Sequence, residues 1–194
     1  MNFEATKEFI LNKLQKELNP DLFYHCYNHT IDVYKSVCRL AKMENINGIH
    51  LIYLKTAALF HDSGFLLSYE NHEDSSCIMA SKTLPLFDYS SNEIELIIKM
   101  IKSTKIPQTP ETHLEKILCD ADLDYVGRDD FFMIAHKLLC EWNKNGNPLS
   151  LTKWYQIQVD FLLKNNYFTL SAIELRETKK KENLNEILNL LKEI

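Results

Sequence analysis

Three short segments carry the residues best suited to chemistry: His25 with His29, the pair His61-Asp62, and the run Asp120, Asp122 and Asp124. His25 and His29 are four apart near the start of a helical pattern, so both are expected to project from one side of a helix. His29 also continues the apolar stripe of Val33, Val37 and Leu40. That turns its imidazole inward, where, taken alone, a histidine is most simply a hydrogen-bonded core residue. His61-Asp62 ends the most apolar run of the chain, Ile49 to His61. A carboxylate buried there is costly unless it meets a cation or several donors. Capping at a solvent edge before Gly64 is the plainer alternative, but an acid at a helix C-terminus opposes the dipole.

The acidic run follows the apolar Ile117-Leu118-Cys119 and is expected in a loop after a short helix around Leu114 to Leu118. It could be a solvated turn; as a calcium loop it lacks the glycine and terminal glutamate of an EF-hand. Two imidazoles and two carboxylates from three segments would suit one divalent ion, whether Mn, Fe, Co, Ni, Mg or Zn, with positions left for water. Such an ion lowers the pKa of water and polarises a phosphoryl oxygen, which is the chemistry of phosphate-ester hydrolysis.

The order His29, His61-Asp62, Asp122 resembles the H…HD…D signature of the HD superfamily of metal-dependent phosphohydrolases. Tyr24 to Val33 is similar to the YHNxxHxxDV stretch of one branch, with Cys26 where that branch usually has Asn. Leu59 to Phe65 is similar to its LFHDxGY turn, Ala121-Asp122 to its late AD pair, and His72-Glu73 with Ser76 to an HExxS helix start. The similarity spans about residues 24–128; four ordered segments make a far more specific signal than an HD dipeptide alone. It implies an all-α bundle and a metal held by His29, His61, Asp62 and Asp122, with Asp120 the rival for the last position and Asp124 a third choice. It also implies that His25 protonates the leaving group. His72 and Glu73 either orient water or substrate beside the metal or form the start of a helix. One ion is expected; a second would need Asp62 to bridge and His72 to ligate. Lys105, in the loop after an apolar helix, and Arg128, close behind Asp122, are the candidates for attracting phosphate.

These residues need helices to position them. Only four glycines and five prolines occur, and they punctuate segments of helical apolar period: 5–18, 24–43, 49–61, 72–84, 92–102, 114–118, 129–143, 151–165 and 171–192. The expectation is an all-α, single-domain bundle over 1–194 of roughly eight helices, with an HD-type core over about 24–128 and helices 129–194 packed on it. The last helix either caps the bundle or offers a partner surface, which allows a homodimer. With 27 acidic against 22 basic residues the formal charge is -5, which argues against nucleic acid or a membrane surface as partner. The first twenty residues do not read as a signal peptide. Five widely spaced cysteines with no CxxC pair read as free thiols of a cytoplasmic protein.

Together these readings point to metal-dependent hydrolysis of a phosphate ester, of a nucleotide or other small phosphorylated metabolite. The alternatives are a non-catalytic HD module that binds a nucleotide and signals through its helical surface, and an interaction bundle with no metal.

Overall fold

The computed structural model describes residues 1–146 and 148–193, and among these it contains helices and no strand. The nine α-helices are α1 (Phe3–Glu17), α2 (Tyr27–Met43), α3 (Gly48–Phe60), α4 (His72–Thr83), α5 (Ser91–Ser103), α6 (His113–Asp122), α7 (Phe131–Lys144), α8 (Leu151–Lys164) and α9 (Leu170–Glu193). Short 3-10 turns follow α3, α4 and α6 at Ser63–Leu66, Leu84–Phe87 and Asp124–Gly127. The all-α bundle expected from apolar periodicity is what the chain forms. Asn147 and Ile194, within the domain expected over 1–194, lie outside the described residues. No described helix is long and apolar enough to cross a membrane. All five cysteines are free, Cys77 and Cys119 buried and the other three half-buried.

Side-chain caps define several helix starts. Ser90 with Glu93 and Thr112 with Glu115 form capping boxes on α5 and α6, and Asn2 and Ser150 accept from the first turns of α1 and α8. The axis is α3, whose Leu54, Ala57, Ala58, Leu59 and Phe60 are all fully buried. A helix apolar on nearly every side over its C-terminal half has to be surrounded there, and α1, α2, α5 and α6 pack around it. α3 therefore delivers His61 and Asp62 to the middle of the molecule.

Two sequence expectations change here. First, α2 begins at Tyr27 rather than 24, so His25 precedes the helix while His29 sits in its first turn. The cause lies far along the chain: the buried Glu141 carboxylate accepts the backbone N–H groups of Tyr24 and His25, at 2.9 and 3.0 Å, and holds that stretch outside the helix. Second, the acidic run is not a loop. α6 continues through Asp120 to Asp122, and Asp124 opens the next 3-10 turn. Carboxylates in a last helical turn oppose the dipole, so each needs a positive or hydrogen-bonding partner, and each has one, as described below.

After Asp62 the chain turns through Ser63–Leu66 and packs α4 directly against that turn. The approach is close enough that Gly64 is required: an added Cβ would lie 1.9 Å from the His72 carbonyl oxygen and 2.6 Å from the Ser76 nitrogen. The Ser76 hydroxyl accepts from the Gly64 N–H at 2.8 Å across the same contact. Because the clashing atoms are backbone, Gly64→Ala is expected to lower unfolding stability by about 3 kcal/mol, measured as a reduced urea midpoint at unchanged m-value.

Candidate metal centre

Three helix ends meet at one point. The first turn of α2 supplies His29, the C-terminal end of α3 supplies His61 and then Asp62, and the last residue of α6 is Asp122. His29 Nε2 lies 3.3 Å from His61 Nε2 and 3.3 Å from both Asp62 Oδ2 and Asp122 Oδ1. His61 Nε2 lies 3.2 Å from Asp62 Oδ2 and 3.4 Å from Asp122 Oδ1. Ligand atoms bound at about 2.1 Å to one ion sit about 3.0 Å apart at octahedral right angles and about 3.4 Å apart in a tetrahedron. The observed spacings match that range, and His29, His61 and Asp122 form a mutually close group that could hold a metal ion. Asp62 is outside that trio, but its Oδ2 faces both imidazoles and is buried without a hydrogen-bond partner. An orphaned carboxylate oxygen beside two imidazole nitrogens fits a cation as its missing partner.

Tautomer and charge support the same fit. His61 Nδ1 pairs with the Ala58 carbonyl at 2.8 Å, so Nδ1 donates there and Nε2 is the nitrogen that faces the cluster. Burial works against charge on His29, but Asp122 and Asp62 outweigh it and lift the imidazole to about 9. His61 is raised against its burial by the same two acids. In return the imidazoles hold Asp122 down at about 2 and Asp62 well below the usual carboxylate range, against the upward push of burial. Four groups that burial would neutralise are thus held charged by one another, and a metal ion would bind there by displacing protons.

The other two acids of the run have different partners. Asp120 accepts from the Phe168 and Thr169 backbone N–H groups, both at 2.8 Å, and from the Thr169 hydroxyl at 2.7 Å, anchoring the start of α9. Asp124, 2% exposed, pairs with Arg39 and Arg176 at 2.8 Å and with Arg128 at 3.4 Å. Neither carboxylate is directed to the imidazoles, whereas Asp122 Oδ1 lies 3.3 and 3.4 Å from their Nε2 atoms.

Beside the cluster lies a cavity of about 450 Å³, within the usual range for small-molecule sites, bordered by Asp62, Asp122, His25, His72 and Glu73. His25 and His72 both stack on Phe65, with ring centroids 4.3 and 4.1 Å away. His72 Nε2 is 3.5 Å from Asp62 Oδ1 and from Glu73 Oε1, so that pair stands next to the metal group as well as opening α4. His25 Nδ1 meets Glu141 Oε1 at 2.5 Å, and the residue borders the cavity. Glu141 is fully buried; burial raises its carboxyl, but the His25 hydrogen bond and the backbone donors bring it below its ordinary value. Tyr69 adds a weaker contact at 3.3 Å.

Sequence reasoning missed Glu141 and the pocket residue Gln158. A signal existed for the first: Ile134, Leu138 and Glu141 follow an i, i+4, i+7 spacing, which puts an acid on the inward stripe of α7. Of the two cations expected to attract phosphate, Lys105 borders the cavity and reaches Asn71 Oδ1 and Asp74 Oδ2, each at 3.4 Å. Arg128 is not brought there. It lines a separate cleft and is engaged by Asp130 at 2.6 Å and Asp32 at 2.7 Å as well as Asp124. Three carboxylates around one guanidinium explain why it stays in that cleft.

No family model, curated protein or solved structure matches this chain.

The division of labour among the acids is testable by paired variants. Asp120→Ala leaves two backbone donors of the α9 start without their acceptor and should cost about 2 kcal/mol in denaturant melts, while metal titrated by calorimetry still binds. Asp122→Ala should still fold and lose more than about tenfold in metal affinity, because losing even a residue that only orients a ligand costs that much.

Proposed function

We propose that this chain is a metal-dependent phosphohydrolase of the HD type that its motifs resemble, acting on a small phosphorylated substrate. The observation that carries the reading is the convergence of His29, His61 and Asp122 at ligand spacing, with the orphaned Oδ2 of Asp62 facing the two imidazoles. Asp62 completes the proposed set, and the mixed imidazole and carboxylate donors suit a divalent transition metal or magnesium. When bound, such an ion supplies Lewis acidity toward a phosphoryl oxygen and makes water a competent nucleophile at neutral pH.

The chain's own residues supply the rest. His25 borders the cavity with Nδ1 engaged by Glu141, and donates the proton of its other nitrogen, Nε2, to the departing oxygen of the ester. Glu141 acts as its positioning residue: by accepting from Nδ1 it fixes the tautomer and ring orientation. Phe65 packs against both His25 and His72, whose ring centroids are themselves 5.5 Å apart, and covers one side of each. His72 and Glu73, beside Asp62 Oδ1, orient water or a phosphoryl oxygen. Lys105 at the border provides local positive charge for an anionic substrate on a protein whose formal charge is -5.

The test has two parts. Untagged protein loaded with manganese, cobalt, nickel, magnesium or zinc is screened against phosphomonoesters, cyclic nucleotides and nucleoside triphosphates; turnover should depend on the metal and vanish in His61→Ala. His25→Ala should then slow esters of poor leaving groups by roughly 100-fold or more, with p-nitrophenyl esters much less affected. Equal loss on both ester types would remove His25 as the acid. Failure of every metal to bind would remove the enzyme reading altogether.

A further inference from the structure

His29 has two ring nitrogens, and the metal group uses one of them. Nε2 faces His61, Asp62 and Asp122, at 3.3 Å from each. Nδ1, on the other side of the ring, makes no hydrogen bond among the described residues. It carries a hydrogen whether the ring is an imidazolium or ligates through Nε2. Ligating imidazoles normally give that hydrogen to a carboxylate, a carbonyl or water, as His61 gives its own to Ala58. His29 is 9% exposed, and the open space it borders is the cleft that holds Arg128, away from the cavity beside the metal group.

That cleft, of about 270 Å³, is bordered by Lys35 of α2 and Lys137 of α7 besides Arg128, and by the carboxylates of Asp32 and Asp130. Both carboxylates are taken up by Arg128, at 2.7 and 2.6 Å. Lys35 and Lys137 form no ion pair among the described residues, so positive charge is left over. The first turn of α2 opens on the same space through Cys26 and Asn28. Cys26, the N-cap residue, makes no side-chain bond to that turn, and no acid lies in it. Its peptide N–H groups add to the pull of the two ammonium groups on an anion.

We infer that this cleft binds a phosphate-class oxyanion, held by Lys35, Lys137 and the first turn of α2, which accepts the Nδ1 hydrogen of His29 and so acts on the metal group from behind. The donors come from α2, from α7 and from the imidazole, and a tetrahedral ion can turn a different oxygen to each. A planar carboxylate has only two oxygens to offer. The phosphate is either the free ion or the end of an organic ester, for which Phe23, Met133 and Ile134 line the remaining space. An acceptor on Nδ1 raises the basicity of Nε2 and makes it a better ligand. Anion and metal ion then strengthen one another by the same factor, since coupling between two binding sites is reciprocal. The inference rests on the proposed metal reading for this coupling alone; the anion site stands on the cleft.

Metal-stripped full-length protein is titrated by calorimetry with inorganic phosphate, phenyl phosphate and sulfate, which the same donors should hold. Combining Lys35→Gln with Lys137→Gln, both at exposed positions where folding is unaffected, should weaken phosphate by about tenfold or more. Lys105→Gln, at the other cavity, should not. Phenyl phosphate tighter than phosphate, with both weakened in the double variant, assigns the cleft to an organic ester; phenyl phosphate no tighter assigns it to the free ion. Sulfate should then tighten manganese binding by about fivefold or more in wild type and leave it unchanged in the double variant. Absence of phosphate binding, or its loss in Lys105→Gln rather than in the double variant, overturns the inference. Sulfate binding with no effect on manganese overturns it as well. If no metal binds at all, phosphate binding that the double variant loses leaves the cleft standing and removes only the proposed hydrolysis. Metal-dependent turnover with no anion bound in the cleft does the reverse.

Discussion

Carboxylates and imidazoles can share a dry interior only where positive charge lies between them, and that constraint organises this molecule. His61 is fully buried, and His29 and Asp62 nearly so. Asp62 follows the C-terminal end of α3, and Asp122 is the last residue of α6. Both carboxylates therefore sit at the negative ends of helix dipoles, which adds to the cost of ionising them. Two acids and two helix C-termini aimed at one spot make a strong attractor for cations. Protons on His29 and His61 satisfy it in part; a divalent ion, with greater charge in smaller volume, would satisfy it more completely.

The surroundings hold that spot in place by absorbing the charges on either side. Asp120 and Asp124 flank Asp122 by two residues each, and both are tied to the C-terminal part of the chain, the first to the start of α9 and the second to Arg176. Asn183 adds bonds to the Val126 and Arg128 carbonyls, so α9 grips the turn that follows α6 along its length. Asp122 is thereby held between two fixed points. Arg128 belongs to this bracing, and its three carboxylate partners leave the positive charge at the cavity border to Lys105.

The helices were legible because their apolar periods are local, and α3 was the clearest, being apolar on nearly every side over its C-terminal half. His29, His61-Asp62 and Asp122 were legible for a related reason: each ionisable side chain interrupts an apolar stripe that its own neighbours define. What lay beyond reach depended on distant partners. Asp120, Asp122 and Asp124 look alike in the sequence, and only the placement of Thr169, the imidazoles and the arginines tells them apart. The start of α2 was misplaced because Glu141, which holds Tyr24 and His25 out of the helix, lies 116 to 117 residues away. Arg128 looked available for phosphate because nothing in the sequence brings Asp32 to it.

The resemblance to a known family covers α2 to the turn after α6 and is weakest over α7 to α9, yet those later helices are more than a cover. α7 contributes Glu141 behind His25, together with Leu138 and Trp142 in the cavity wall, and α8 contributes Ile157, Gln158 and Phe161. The early helices thus carry the clustered imidazoles and carboxylates, and the late helices carry much of the apolar wall of the cavity beside them. A metal set tolerates little change, because its donors must keep both type and spacing around a small ion. An apolar wall tolerates many residues of similar size. Motifs are therefore concentrated in the first part of the chain, and the residues of the cavity wall are visible only once folding has brought α8 to the same cavity as the ends of α3 and α6.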